Sequence, residues 1–189
     1  MRIVLASASL RRQELLKRLY NRFDIIISNF DEESVKYNGS PEEYVKELSN
    51  GKALDVAQTL DDGAIVIAAD TIVVHDNNIL LKPKDENDAE KMLKSLSRDI
   101  HHVYSGVTVV NTYNGKIVNE AVVTEVKFSK LKDEEIKRYI KTGEPMDKAG
   151  AYGIQGYGGI FVEKINGSYY NVVGLPLNKL KNKLEEVMN

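Results

Sequence analysis

The chain has no cysteine. Disulfides and thiolate metal sites are therefore excluded, and a reducing compartment is compatible with the composition. No apolar run approaches the roughly 18 residues of a membrane helix, so no membrane partner is expected. Lys and Arg number 26 against 28 Asp and Glu. A general binder of nucleic-acid polymers carries a basic excess that this balance lacks. The N-terminus, MRIVLASASLRR, does not have a signal peptide's succession of charge, long apolar region and cleavage site. Neither a GxxxxGK[ST] phosphate loop nor a GxSxG nucleophile elbow occurs. His75, His101 and His102 form no HxxxH or HxH pattern and read as structural. There is no internal repeat or long linker. The expectation is a soluble cytoplasmic protein whose 189 residues, 42% of them apolar, suffice for one domain with a core, or one domain pinched into two lobes.

Strand and helix signals are interleaved along the chain. Ile3 to Ala6 reads as a short buried strand, and Ser7 and Ser9 suit the cap of a helix over Arg11 to Leu19. Phe23 to Ser28 is a second strand, followed by the acidic stretch Asp31-Glu32-Glu33. Ser40-Pro41-Glu42-Glu43 is a capping box with proline in the first turn, opening a helix to about Leu60. Val45, Leu48 and Val56 share its inward stripe, and Lys52 falls on the same stripe. Either its stem snorkels to water or its ammonium points into a cleft. AIVIAADTIVV, from Ala64 to Val74, is a buried strand interrupted by Asp70 and Thr71. A helix follows near Asp85 to Leu96, with Ala89, Met92, Leu93 and Leu96 in helical register. His102 to Asn111 and Lys116 to Phe128 pair about Asn114-Gly115, a hairpin signal. Asp133 to Lys141 reads as a helix. Gly159 to Lys164 and Tyr169 to Val173 read as a second hairpin about Asn166-Gly167, and Pro176 opens the last helix. Hairpins beside strand–helix units imply an α/β, mixed α+β fold on a mixed sheet.

Several groupings carry chemistry. Ser7, Ser9, Arg11 and Arg12 lie between a strand and a helix, where hydroxyls, guanidinium forks and helix N–H groups make a phosphate cradle. Asp70 is costly in an apolar strand unless it is paired, hydrated or on a metal. With Glu32 it offers hard oxygen donors suited to Mg²⁺ or Mn²⁺. Lys52 and Lys82 could neutralise a polyphosphate. DKAGAYGIQG, residues 147–156, leads a run in which Gly150, Gly153, Gly156, Gly158 and Gly159 fall within ten residues. Such a run lets the backbone approach a ligand closely. Gln155 within it can donate and accept at a base edge. Together these residues point to metal-assisted attack on a nucleotide polyphosphate.

Over nearly its whole length the chain resembles the Maf family of nucleotide pyrophosphatases. LASASLRR is similar to the family's LASxSPRR, IAADTIVV to its ADT signature and LLKP to its LGKP. EPMDKAGAYGIQG through GSYYNVVGLPL is similar to its long C-terminal signature. The resemblance implies an elongated mixed sheet flanked by helices, two lobes around a central cleft, like inosine-triphosphate pyrophosphatases. It implies that Asp70 is the proton acceptor and that Ser7, Arg12, Glu32, Lys52 and Lys82 are active-site groups. Arg11, Thr71 and Gln155 match the branch acting on dTTP and UTP, not the one acting on 7-methyl-GTP. A divalent metal on Glu32 and Asp70 and a homodimer are also implied. A non-catalytic role in septum formation, and a pyrophosphatase for inosine-type nucleotides, are the alternatives. Two positions depart from the pattern. Leu10 stands for a proline that would pre-set the helix start, and Leu81 stands for a permissive glycine before Lys82.

Overall fold

An uninterrupted apolar run belongs in the middle of a covered sheet, and β1 (Ile3–Leu5) is buried throughout. It pairs in parallel with β2 (Asp24–Ile25) on one side and β3 (Ile65–His75) on the other, with Val4 opposite both Asp24 and Val66. The computed structural model, which describes residues 1–189, gives the strand order β2-β1-β3-β5-β6-β7, where β5 is Ile100–Asn111, β6 is Lys116–Phe128 and β7 is Val162–Asn166. Strand β4 (Asn78–Leu80) lies antiparallel on the end of β3. The expected hairpin joins β5 (Ile100–Asn111) to β6 (Lys116–Phe128). Its turn is closed by Gly115 N–H donating to the Asn111 carbonyl at 2.9 Å, with Gly115 at φ +75°. Strand β7 (Val162–Asn166) runs antiparallel to β6. One seven-stranded sheet thus mixes parallel and antiparallel pairs, the fold class expected from the sequence.

The helices are α1 (Leu10–Leu16), α2 (Pro41–Ala57), α3 (Glu86–Leu96), α4 (Asp133–Ile140), α5 (Tyr169–Val173) and α6 (Leu177–Met188). The Ser40 hydroxyl caps α2 by accepting from Glu43 N–H at 3.3 Å, the first half of the expected capping box. The other half is replaced, because Ser40 N–H donates to Asn38 Oδ1 and the Glu43 carboxylate takes Lys46. The helix stops at Ala57, three residues short of the expected end. No glycine marks its terminus, and a frayed last turn is hard to read from sequence.

Two compact units divide the chain. One comprises Met1–Asp70, Ser105–Val122 and Gly174–Asn189; the other comprises Thr71–Tyr104 and Val123–Val173. In the first, Ala53 and Val56 of α2 pack on Val4, Ala6, Val66 and Ala68 of the sheet side. Small residues there allow close approach, and at Gly106 a side chain would collide with the Val45 carbonyl of α2. The second unit has an aromatic core. Phe128, Tyr139, Tyr152 and Phe161 pack with Leu93, Leu96 and Ile136, largely in edge-on ring pairs.

The second expected hairpin is a correction. Residues Tyr157–Phe161 form 3₁₀ turns, and the strand begins only at Val162. Tyr169–Val173 is a helix, not a strand. Its aromatic and β-branched composition favours a strand, but the structure places a buried, hydrogen-bonded asparagine in a helical turn here. Asn171 is fully buried. Its amide donates to the Val103 carbonyl at 2.9 Å and to Thr124 Oγ1 at 3.0 Å, while Ser168 Oγ accepts from Asn171 N–H at 3.3 Å.

His101 has the structural role read for it. It is fully buried, 2.8 Å from the Tyr152 hydroxyl and edge-on to Phe128. Burial, with the nearby His75 and His102, pushes its pKa from the ordinary 6.5 down to about 3. The unfolded chain binds this proton first as pH falls. The stability associated with the neutral ring is therefore complete above about pH 6.5 and is lost as pH drops toward 3. The slope approaches about 1.4 kcal/mol per pH unit for one proton. Urea unfolding between pH 7.5 and 4 should show this fall, and His101→Gln should flatten it. An acid limb unchanged by the substitution would refute the assignment.

Candidate active site

Asp70 sits in β3 among buried neighbours and is itself 8% exposed. A carboxylate so placed needs a partner, and Lys52 provides it. Lys52 Nζ lies 2.5 Å from Asp70 Oδ1 and 3.0 Å from Glu32 Oε1. Of the two readings open for a lysine on the inward stripe of α2, the structure has the inward one: the ammonium joins two carboxylates.

Glu32 reaches Lys52 from a 3₁₀ turn, Glu32–Ser34. Its acidic neighbour Asp31 has a local task, accepting from Glu33 N–H at 3.1 Å. The segment before the turn is fastened to α2 by Asp55. Asp55 Oδ2 accepts from Ser28 Oγ at 2.8 Å and from Asn29 N–H at 2.7 Å. The Phe30 ring covers Gly51, where any side chain would collide with it. Asp55 and Gly51 escaped the sequence reading. The signal for Asp55 was its place one turn beyond Lys52 on the same helix, where residues three apart are neighbours.

The loop from β1 into α1 carries the hydroxyls and guanidiniums. Ser7 is buried, and its Oγ accepts from Ser9 N–H at 3.2 Å and from Arg12 Nη1 at 3.4 Å. Ser9 caps α1 through Arg12 N–H. The cap therefore survives the loss of proline at Leu10, which is 72% exposed. Arg12 Nε donates to the Gly174 carbonyl at 2.9 Å, so the C-terminal signature helps to hold the arginine. Burial lowers the Arg12 pKa; Asp70 and Glu32 raise it and Arg11 lowers it further. A guanidinium remains charged regardless. The same two carboxylates, after burial, raise the Tyr44 phenol, which places Tyr44 within their field.

Ser7, Arg12, Glu32, Lys52 and Asp70 thus belong to one unit and are linked by contacts or charge coupling. Ser9 and Arg11 lie on the same loop and helix start. Thr71 is the next residue of β3 and is partly buried. Lys82 and Gln155 belong to the other unit and are both exposed. Leu81 is not among the residues with positive φ, and its carbonyl accepts from Gly150 N–H at 3.2 Å. The backbone before Lys82 therefore does not require the missing glycine.

The glycine run has a use that composition did not reveal. A side chain at Gly156 would collide with the Glu144 carboxylate, one at Gly153 would come 2.7 Å from Lys148, and one at Gly158 would come 2.7 Å from the Tyr139 hydroxyl. These glycines make room for the protein's own polar groups.

The carboxylates of Glu32 and Asp70 offer hard oxygens of the kind a divalent cation takes, and here both face the Lys52 ammonium. A three-residue grouping of ligand types lies in the other unit. His75, Asp76 and Asp99 have ligand atoms within 4.8 Å of one another, and His75 Nε2 is 3.1 Å from Asp99 Oδ2.

The open mixed sheet has a counterpart in fold among solved structures. The Staphylococcus aureus Ham1 protein aligns over 98% of this chain and 99% of its own, with a TM-score of 0.53 and 16% identity, a likeness of fold. The chain belongs to the Maf family: the family described as Maf-like protein matches residues 2–187. A relative from Clostridium botulinum (strain Eklund 17B / Type B) is 60% identical over 100% of both chains. One from Clostridium beijerinckii (strain ATCC 51743 / NCIMB 8052) is 59% identical over 99% of this chain and 100% of its own. Both are named dTTP/UTP pyrophosphatase. The family resemblance read from LASASLRR, IAADTIVV and the C-terminal signature is therefore correct.

Proposed function

We propose that this protein is a nucleoside triphosphate pyrophosphatase that hydrolyses dTTP and UTP to the monophosphate and pyrophosphate. The observation that carries the reading is the buried Asp70 held by Lys52 beside Glu32. A chain that only bound nucleotide would have no need of a proton acceptor in an apolar strand. The names of the relatives at 60% and 59% identity supply the substrate class.

Water attacks the α-phosphorus in line with the departing pyrophosphate. Asp70 accepts the proton that the water loses. Arg12, Lys52 and Lys82 stabilise charge on the triphosphate, because positioning and electrostatics dominate phosphoryl transfer. Ser7, Ser9 and Arg11 complete the phosphate cradle, and Thr71 and Gln155 favour a pyrimidine base. Glu32 and Asp70 would hold Mg²⁺ or Mn²⁺, which when bound supplies Lewis-acid polarisation of the phosphoryl oxygens. The reading includes a single bilobal Maf-like domain, a homodimer, and a place in the cytoplasm with its free nucleotide substrates.

The test is a panel of UTP, dTTP, CTP, GTP and ITP with Mg²⁺ and with Mn²⁺, following pyrophosphate and orthophosphate separately. Pyrophosphate release, fastest from UTP and dTTP, is expected. Orthophosphate as the primary product would reject α-phosphorus attack, and preference for ITP would move the assignment to the inosine-type activity.

A further inference from the structure

The Glu144 carboxylate is the hub of the glycine loop. Its Oε1 accepts from the Tyr139 hydroxyl at 2.8 Å and from Gly158 N–H at 3.1 Å, and its Oε2 accepts from Tyr157 N–H at 2.8 Å. The Tyr139 oxygen in turn accepts from Gly153 N–H at 3.1 Å. Gln155 therefore lies between two tethered points. Gly153 is tied to the carboxylate through one phenol, and Tyr157 and Gly158 are tied directly. The loop between them closes on itself, Gly156 N–H donating to the Gly153 carbonyl at 3.2 Å.

The donors explain why this position needs a charge. An ionised carboxylate is acceptor-only and offers about four lone-pair sites, of which three are taken here. Partial burial by itself would raise the Glu144 pKa. The amides of Gly158 and Tyr157, the Tyr139 hydroxyl and the Lys148 charge outweigh it and hold the pKa below the ordinary value. A glutamine of the same shape would turn an N–H group toward a backbone N–H. The collisions that a side chain would meet at Gly153, Gly156 and Gly158 show the loop wrapped tightly around Glu144, Lys148 and Tyr139.

We propose that Glu144 is a specificity-positioning residue: by fixing the backbone on both sides of Gln155 it sets the place from which Gln155 reads the base. This rests on the base-reading role given to Gln155 above. Glu144 does not touch substrate and does not act on the reacting phosphorus.

The experiment compares wild type, Glu144→Gln, Tyr139→Phe, Gln155→Ala and the double variant Glu144→Gln/Gln155→Ala. It measures kcat and KM for UTP and GTP and a thermal midpoint for each chain. Loss of a hydrogen-bonded base contact should lower the UTP-to-GTP ratio of kcat/KM by about tenfold or more. Glu144→Gln, Tyr139→Phe and Gln155→Ala should each show that loss, carried by KM for UTP, with kcat for UTP within about threefold of wild type. Because Glu144 acts through Gln155, the double variant should lose no more than Gln155→Ala, as coupled residues do. If Glu144→Gln does not fold, Tyr139→Phe, which removes one oxygen, decides. A wild-type ratio in the folded variants, with a lowered ratio in Gln155→Ala, overturns the proposal and leaves Gln155 as base reader. An unchanged ratio in Gln155→Ala overturns base reading itself, and this proposal with it. An equal fall in kcat for both nucleotides overturns the positioning role.

Discussion

Asp70→Asn is expected to lower kcat for pyrophosphate release from UTP by about a thousandfold, the middle of the range for removal of a positioned proton acceptor. Binding of UTP should change much less, because the groups proposed to hold the triphosphate, Arg12, Lys52 and Lys82, remain. The substitution is nearly isosteric, and it replaces a buried charge with a neutral amide. Lys52 keeps Glu32 as its counter-ion, at 3.0 Å. The folded state should therefore be close to wild type in stability while turnover collapses. The measurement is kcat from pyrophosphate release beside a dissociation constant for UTP and a urea midpoint. Turnover within about tenfold of wild type would remove Asp70 from proton transfer. A matching loss of stability would instead make the residue's role structural.

The features legible in the sequence were those in which one residue contradicts its surroundings. Asp70 interrupts a strand that is otherwise apolar, and Lys52 stands on the buried stripe of a helix. Each contradiction has a single resolution in the structure, the contact between them. Local signals with a stereochemical cause also read correctly: the Ser40 cap and the Asn114-Gly115 turn. The order β2-β1-β3-β5-β6-β7 was not legible, since β1 meets β3 across about 60 residues and no local pattern encodes that pairing. Tyr169–Val173 has a strand-like composition, and the side-chain bonds of its buried asparagine to Val103 and Thr124 exist only in three dimensions.

The glycine run was read as backbone brought close to a nucleotide. The structure gives three of those glycines a nearer reason, the space taken by Glu144, Lys148 and Tyr139. The two uses are compatible. A loop drawn tightly around an internal carboxylate presents one exposed amide side chain, Gln155, in a defined place. Under the proposal above, recognition depends on Glu144 and Tyr139, whose bonds to the loop are formed only in the folded chain.

Lys52→Met should separate the cost of Asp70 from its use. The lysine and aspartate side chains are 13% and 12% exposed, so the pair is largely removed from water. Taking away one partner leaves the other charge uncompensated, which typically costs 3–5 kcal/mol in a buried pair; about 2–3 kcal/mol is expected here, because Arg12 still acts favourably on Asp70. The loss of an ammonium aimed at the cluster should also lower kcat/KM for UTP by about two to three orders of magnitude. Adding Asp70→Asn to Lys52→Met removes the stranded charge. The double variant should therefore recover stability relative to Lys52→Met alone, while its activity stays at the level of Asp70→Asn or below. Lys52→Arg should not restore full activity, since a planar fork cannot place one point charge between Asp70 Oδ1 and Glu32 Oε1 as the ammonium does. Urea unfolding of the four chains of this cycle gives the coupling directly. Additive effects of the two substitutions on stability would mean that Lys52 and Asp70 do not compensate each other, and the contact would then lose its place as the centre of the site.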